Sequence, residues 1–229
     1  MIIVIDGPAG SGKSSTAKEL ARRHGIRFLD SGALYRAVTL RWLEKGRPGR
    51  EEFIELLTDI DIRTEADAEN FRIFINGGEV TEKIRSGEIA QHVSRVAAVP
   101  EVREFINRYM RDLVKTGVYI ADGRDLGSAV FPDADLKFYM DASLDERAGR
   151  RYKEMREKGQ NVTLDEVRDN LASRDEMDRN RAADPLKQPE DALVIDTTGK
   201  SFDEQINEMS EIIQKNSFSK TAITKHLKS

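Results

Sequence analysis

Cysteine is absent from this 229-residue chain. That excludes a disulfide scaffold, a thiol nucleophile and any Cys-ligated zinc or iron–sulfur centre. The three histidines, His24, His92 and His226, are scattered and read as structural or solvent-exposed. No apolar run approaches the ~18 residues of a membrane span, and no basic–apolar–small leader opens the chain. Positive charge is not in surplus either. Lys+Arg 37 against Asp+Glu 41 leaves a net charge of −4, where a binder of polynucleotide backbone would be basic. We therefore expect a soluble cytoplasmic protein with no nucleic-acid or membrane partner. No self-complementary apolar patch stands out, so a monomer is expected. By surface scaling a chain of this length buries roughly 72% of its extended surface. Such a core needs no disulfide.

What is present alternates apolar runs with helical patterns. Ile2–Ile5 is continuously apolar, as in a buried strand, and Ala17, Leu20, Ala21 and His24 then recur at helical spacing until Gly25. Ile26–Leu29 reads as a second strand, and Leu34, Ala37, Val38 and Trp42 mark a second helix ending at Gly46. Near residue 60 the pattern changes. Ile60–Arg63 alternates, Phe71–Ile75 is apolar, and Asn76-Gly77-Gly78 is a hairpin turn. Strands this close are antiparallel, because a parallel crossover takes about a dozen residues. Residues 60–98 are thus expected to form a small antiparallel insert with short helices.

Pro100 opens a further helix that Gly117 closes. Val118–Ala121, Leu136–Met140 and Leu193–Ile195 read as the third, fourth and fifth core strands. Ser143…Glu146, Thr163…Glu166 and Ser201…Glu204 each announce a helix as a capping box. Residues 217–229 are polar and basic with little periodicity, and a disordered tail is expected there.

Gly7-Pro8-Ala9-Gly10-Ser11-Gly12-Lys13-Ser14 matches G-x-x-x-x-G-K-[S/T], between a strand and a helix, with Ser15 following. Glycines let backbone N–H groups curl around a phosphate, and the helix adds the positive end of its dipole. Lys13 would reach the β- and γ-phosphates of a nucleoside triphosphate, and Ser14 would ligate Mg²⁺. Asp122, directly after the Val118–Ala121 run, can help hold Mg²⁺ or its waters, or simply cap a strand end. The fold expected is α/β, a three-layer P-loop NTPase type with a five-stranded parallel sheet. Its core covers 1–59 and 99–216.

The guanine-reading N-K-x-D motif of GTPases does not occur. Arginines instead stand at loop and strand ends: Arg36, Arg103, Arg124, Arg174 and Arg181. Their planar forks suit phosphate and base edges, and they suggest a second anionic substrate. Val167, Leu171, Arg174, Asp178 and Arg181 step by four, three, four and three, as one stripe of a single helix whose second half turns charged. That stripe either lines a cleft or carries a plain i,i+4 ion pair.

The chain resembles the bacterial cytidylate (CMP/dCMP) kinases from about residue 1 to 215. The segments carrying the likeness are IDGPAGSGKSS (5–15), FLDSGALYRA (28–37), VSRVAAVPEVR (93–103), DGRDLGSAVFPDADLKFYMDAS (122–143), RDEMDRNRAADPLK (174–187) and ALVIDTTG (192–199). Ser14-Ser15 stands where relatives often have Ser-Thr or Gly-Thr, and the segment after 215 matches nothing. The resemblance implies ATP-dependent phosphorylation of CMP or dCMP, with Mg²⁺, and a nucleoside-monophosphate-binding role for the 60–98 insert. It implies that Ser31, Arg103, Asp125 and Arg181 read the cytosine and hold the monophosphate end. Ser94, Arg174 and Asp178 would meet the sugar, and Arg36 and Arg124 the acceptor phosphate. The resemblance also implies a short helical lid at about 147–162, and Arg147, Arg150 and Arg151, on the helix entering it, would bring cations over the transferring phosphoryl group, without a choice among the three. Uridylate, adenylate or shikimate kinases remain the nearest alternatives. A regulatory or RNA-associated NTPase is a more distant one.

Overall fold

In the computed structural model, which describes residues 1–216, strand β1 (Ile2–Asp6) is buried at every position. It lies at the centre of a five-stranded sheet of order β2-β6-β1-β7-β8, with β2 (Arg27–Asp30), β6 (Tyr119–Asp122), β7 (Leu136–Asp141) and β8 (Leu193–Asp196). All four pairings are parallel, which explains why the central strands are apolar on both faces. Each core strand runs one residue past its apolar run, into Asp6, Asp30, Asp122, Asp141 or Asp196. Backbone pairing is indifferent to the side chain there, so the carboxyl edge of the sheet carries a row of carboxylates. The expected tail at 217–229 lies outside the described residues.

Helices α1 (Lys13–His24), α2 (Ser31–Glu44), α3 (Arg50–Thr58), α5 (Pro100–Leu113) and α8 (Phe202–Lys215) accompany the sheet, and Ile3, Ile5, Leu20, Leu34, Ile106 and Phe138 form its buried centre. The antiparallel sheet of order β3-β4-β5 occupies the insert, with β3 (Ile62–Ala66), β4 (Phe71–Ile75) and β5 (Gly78–Glu79). A 3-10 turn at Lys83–Arg85 and α4 (Gly87–Ala97) complete that segment. Ile62, Phe71, Ile73 and Ile75 belong to the same apolar cluster as the main sheet. Phe71 meets Phe28 edge-on at 6.3 Å between ring centroids. The outward N–H of Phe28, on the edge strand β2, donates to Asp67 O at 2.9 Å.

Two more helices, α6 (Leu144–Glu157) and α7 (Leu164–Asn180), pack together over a second small core of Ala9, Ala148, Val167 and Leu171. The capping box expected at Thr163 and Glu166 is formed in full. At Ser143 the hydroxyl accepts from Glu146 N–H at 3.2 Å. Helix α7 stops at Asn180, and Arg181 is extended at φ −64, ψ 143. The expected five-residue stripe on one helix is therefore corrected to four residues plus an arginine just past the end. Between β6 and β7 lies a π-helical turn, Leu126–Val130, that no sequence pattern announced.

Candidate active site

The phosphate loop is shaped by positions that only glycine tolerates. Gly7 has φ 148, and a Cβ there would sit 2.0 Å from Met140 O, so β1 can turn into the loop directly beneath β7. Gly10 and Gly12 are left-handed at φ 76 and 89, and Gly12 caps α1. Beneath the loop, Asp6 accepts from the N–H groups of Leu126 at 3.0 Å and Gly127 at 2.7 Å. This fixes the DGRDLG segment against β1. Burial pushes the Asp6 carboxyl up to about 6 against those hydrogen bonds.

This raised value has a measurable consequence. Above the ordinary value of 3.8 the unfolded chain has released the Asp6 proton while the folded chain still holds it. Asp6 therefore contributes stability that is full below pH 3.8 and is lost as pH rises to about 6. Urea midpoints taken from pH 4 to 7 should fall less with pH in Asp6→Asn than in wild type. Parallel curves would mean that Asp6 titrates normally.

The loop borders a cavity of about 590 Å³ that brings together most of the residues singled out above. Its lining includes Ala9, Gly10, Gly12, Lys13, Ser14 and Ser15, together with Ser31, Arg36, Ser94, Asp122, Arg124, Asp125, Arg151, Arg174, Asp178 and Arg181. Ser14 Oγ donates to Asp122 Oδ2 at 2.5 Å, and the buried Asp122 Oδ1 has no hydrogen-bond partner. Burial, with the Asp30 carboxylate beside it in register on β2, pushes Asp122 up to about 7. A hydroxyl beside a carboxylate with an unpartnered oxygen is a donor set that fits Mg²⁺, which takes few protein ligands and fills the rest from waters and phosphates.

On the far wall the cations outnumber what the protein gives them. Arg174 Nε is buried without a partner. Burial lowers the Arg174 guanidinium to about 10, and Arg124, Arg36 and Arg151 push it the same way against Asp178. Arg124 Nε reaches Asp178 Oδ2 at 3.1 Å, and Arg181 Nη2 reaches Asp125 Oδ1 at 2.7 Å. Ser31 Oγ donates to Asp122 O at 2.6 Å, which ties the start of α2 to the end of β6.

Three of the expected site residues turn toward protein partners. Lys13 is only 4% exposed, and curls back to donate to Pro8 O at 2.5 Å and Ser11 Oγ at 3.2 Å. A flexible ammonium beside unpaired loop carbonyls finds the nearest acceptors, and burial with the Arg124 charge lowers its pKa well below the ordinary lysine range. Arg103 does not line the cavity. It is buried against Asp125 and donates Nε to Asp184 Oδ2 at 2.9 Å, beneath the Tyr35 ring. Arg147, expected over the phosphoryl group, lies behind the phosphate loop and pairs with Asp175 at 2.7 Å. Gly7, Pro8 and Ser11 shape the loop from beneath rather than lining the cleft.

Sequence reasoning passed over several residues at or near the cleft. Asp30 accepts from Ala33 N–H at 2.9 Å as the N-cap of α2, a role readable from its place before a helical run. Asp184 is left-handed at φ 47 and receives both Arg103 and, at 3.3 Å, Asn107 Nδ2. Lys200, Phe202 and Gln205 bring the start of α8 to the cavity beside Gly12. Arg150, which the resemblance had already singled out, lines the cavity and holds the adjoining turn through Thr197 O at 2.6 Å. Among the described residues no helix is long and apolar enough to cross a membrane.

A family model described as cytidylate kinase matches residues 3–215. The chain is 41% identical over 214 residues to the cytidylate kinase of Caldanaerobacter subterraneus subsp. tengcongensis, covering 93% of this chain and 95% of that one. It is 43% identical over 211 residues to the cytidylate kinase of Clostridioides difficile, covering 91% and 96%. A solved structure of an uncharacterized protein from Eubacterium ventriosum matches with a TM-score of 0.52 at 14% identity, over 96% of this chain and 99% of that one. That last likeness is one of fold alone.

Proposed function

This chain belongs to the cytidylate kinase family, and from that premise we propose that its cleft transfers the γ-phosphoryl group of ATP to CMP or dCMP with the residues described above. The observation that carries the reading is Arg174. A buried guanidinium with an unpartnered Nε, flanked by Arg36, Arg124 and Arg151 and facing a phosphate loop, lacks only polyanions. A phosphate monoester has a second pKa near about 6, so its attacking oxygen is already anionic at neutral pH. The protein needs no nucleophile and no histidine.

Its task is to hold two mutually repelling anions in line and to neutralise the charge that develops between them. The N–H groups from Gly10 to Ser14 cradle the donor phosphates, and Lys13 leaves Pro8 O to follow the γ-phosphoryl group. Arg36 and Arg124 hold the acceptor phosphate and Arg151 approaches the transferring group; Arg174, which the resemblance sets at the sugar, joins Arg151 there in this reading because its Nε has no protein partner. Asp178 and Ser94 meet the pentose, while Ser31, Asp125 and Arg181 face the base. Arg103 acts on the base through Asp125, since it is buried behind that carboxylate. Ser14 and Asp122 would hold Mg²⁺, which when bound supplies charge neutralisation at the β- and γ-phosphates.

The insert at 60–98 and the segment at 147–162 close over the substrates and exclude water. ADP release measured with CMP, dCMP, UMP, AMP and shikimate tests the reading. CMP and dCMP should give the highest kcat/KM, with little turnover when the acceptor is omitted. Acceptor-independent ATP hydrolysis, or preference for shikimate or AMP, would overturn it.

A further inference from the structure

Both backbone polar groups of Ala9, inside the phosphate loop, are taken by one buried ion pair. Asp175 Oδ1 accepts from Ala9 N–H at 3.0 Å, and Arg147 Nη1 donates to Ala9 O at 2.8 Å. Arg147 and Asp175 bridge each other at 2.7 Å, with side chains only 5% and 4% exposed. Arg147 Nε also donates to Ala142 O at 3.0 Å, tying α6 to the end of β7. The Ala9 methyl group belongs to the second core with Ala148, Val167 and Leu171. A Cβ on the neighbouring Gly10 would already touch Leu171 at 3.4 Å and Arg147 at 3.5 Å. Helices α6 and α7 therefore meet the loop through both packing and hydrogen bonds.

Neither Arg147 nor Asp175 faces the main cavity. Their neighbours on the same helices do: Arg151 lies one turn beyond Arg147, Arg174 directly precedes Asp175, and Asp178 follows it by three. A buried ion pair is generally weak as a source of stability, and apolar replacements of similar volume are often neutral or stabilising. Its geometry is what an apolar pair would not reproduce. With the Ala9 N–H committed to Asp175, the direction of the next peptides, which carry the N–H groups of Gly10 to Lys13, is set by a carboxylate on α7.

We propose that Asp175 and Arg147 are positioning residues that register the phosphate loop against the arginine-bearing faces of α6 and α7, so that donor and acceptor phosphates are aligned by one clamp on Ala9. The proposal rests on the cleft's reading as an ATP site. Wild-type activity with CMP tests that reading, and the variants below test the clamp.

The double variant Arg147→Met/Asp175→Leu removes the pair without leaving a charge buried. It leaves Ala9 N–H, Ala9 O and Ala142 O without these partners, so its urea midpoint should fall, and its kinetics are read where its circular dichroism is native. There the ATP KM should rise about tenfold or more and kcat should fall, because small misplacements of reacting groups can cost up to ~10²-fold. The single variants Asp175→Asn and Asp175→Ala do not depend on the double variant folding. Asn keeps an acceptor for Ala9 N–H and should retain most of the ATP affinity, whereas Ala should lose it, each read on folded protein. Wild-type ATP KM and kcat in a folded double variant would overturn the clamp, as would identical ATP KM values for Asn and Ala. If wild type itself fails to phosphorylate CMP, the functional reading fails instead.

Discussion

Lys13→Met is expected to lower kcat by about 10²–10³-fold, the usual loss when one preorganised donor to developing charge is removed, with a native circular dichroism spectrum. The charge matters most as negative charge moves toward the leaving β-phosphate, so the loss should fall on kcat rather than on CMP KM. The resting contacts of Lys13 add a second expectation. The ammonium now donates to Pro8 O and Ser11 Oγ, and methionine leaves both without that partner. The variant's phosphate loop should accordingly be less ordered when empty. Hydrogen exchange at residues 8–14, compared with and without ATP, measures this. A variant with a native spectrum and native turnover would remove Lys13 from the reaction.

That resting position marks where sequence reasoning stopped. The core strands were legible because a parallel strand buried on both faces is continuously apolar, as Ile2–Ile5 is. The insert was legible because Asn76-Gly77-Gly78 and the short spacing leave no room for a crossover. The phosphate loop was legible because its glycines answer to backbone geometry alone. Arginine direction was not legible. Arg103 and Arg147 look like Arg124 and Arg174 in sequence, yet Arg147 turns toward the buried Asp175, and Arg103 toward the buried Asp125 and the half-buried Asp184. Asp175 follows Leu171 by four and precedes Asp178 by three, buried with both, but the stripe was read through Arg174 and passed over it. The π-helical turn at Leu126–Val130 depends on Asp6, 120 residues upstream of Leu126. Partner choice over such separations is a property of the folded chain.

Asp178→Ala should lower kcat/KM for CMP by about ten- to 150-fold, corresponding to roughly 1.5–3 kcal/mol for a lost hydrogen bond to a charged group. Asp178 is 7% exposed, which sets it apart from a solvated surface ion pair of little consequence. Its Oδ2 receives Arg124 at 3.1 Å and its Oδ1 lies 3.7 Å from Arg181, so truncation frees two cations. CMP would then bind arginines no longer held in place, and both KM and kcat should suffer. ATP affinity measured without acceptor should hardly change, because no contact of Asp178 reaches the phosphate-loop backbone. Arg174 gives an internal check. The Asp178 charge opposes the downward push on its guanidinium, so the variant should also weaken CMP binding more steeply as pH rises toward 10. An unchanged kcat/KM for CMP would take α7 out of the acceptor site.

The hydrogen bond from Phe28 N–H to Asp67 O has a consequence for the free molecule in crowded solution. A terminal strand of a parallel sheet offers unpaired amides to any other extended chain, and proteins must blunt such edges to stay dispersed. At β2 the insert occupies this position, with Asp67 taking the outward amide and Phe71 covering Phe28. Among the described residues the opposite edge has no such cover at β8, where Leu193 and Val194 are 41% and 52% exposed. The strand there is short, at four residues, and bracketed by Asp191 and Asp196. The two borders of one sheet are thus guarded by different means, a folded segment on one side and brevity with flanking charge on the other. Shortening residues 60–98 to make a smaller kinase would strip the first guard and leave β2 open to self-association.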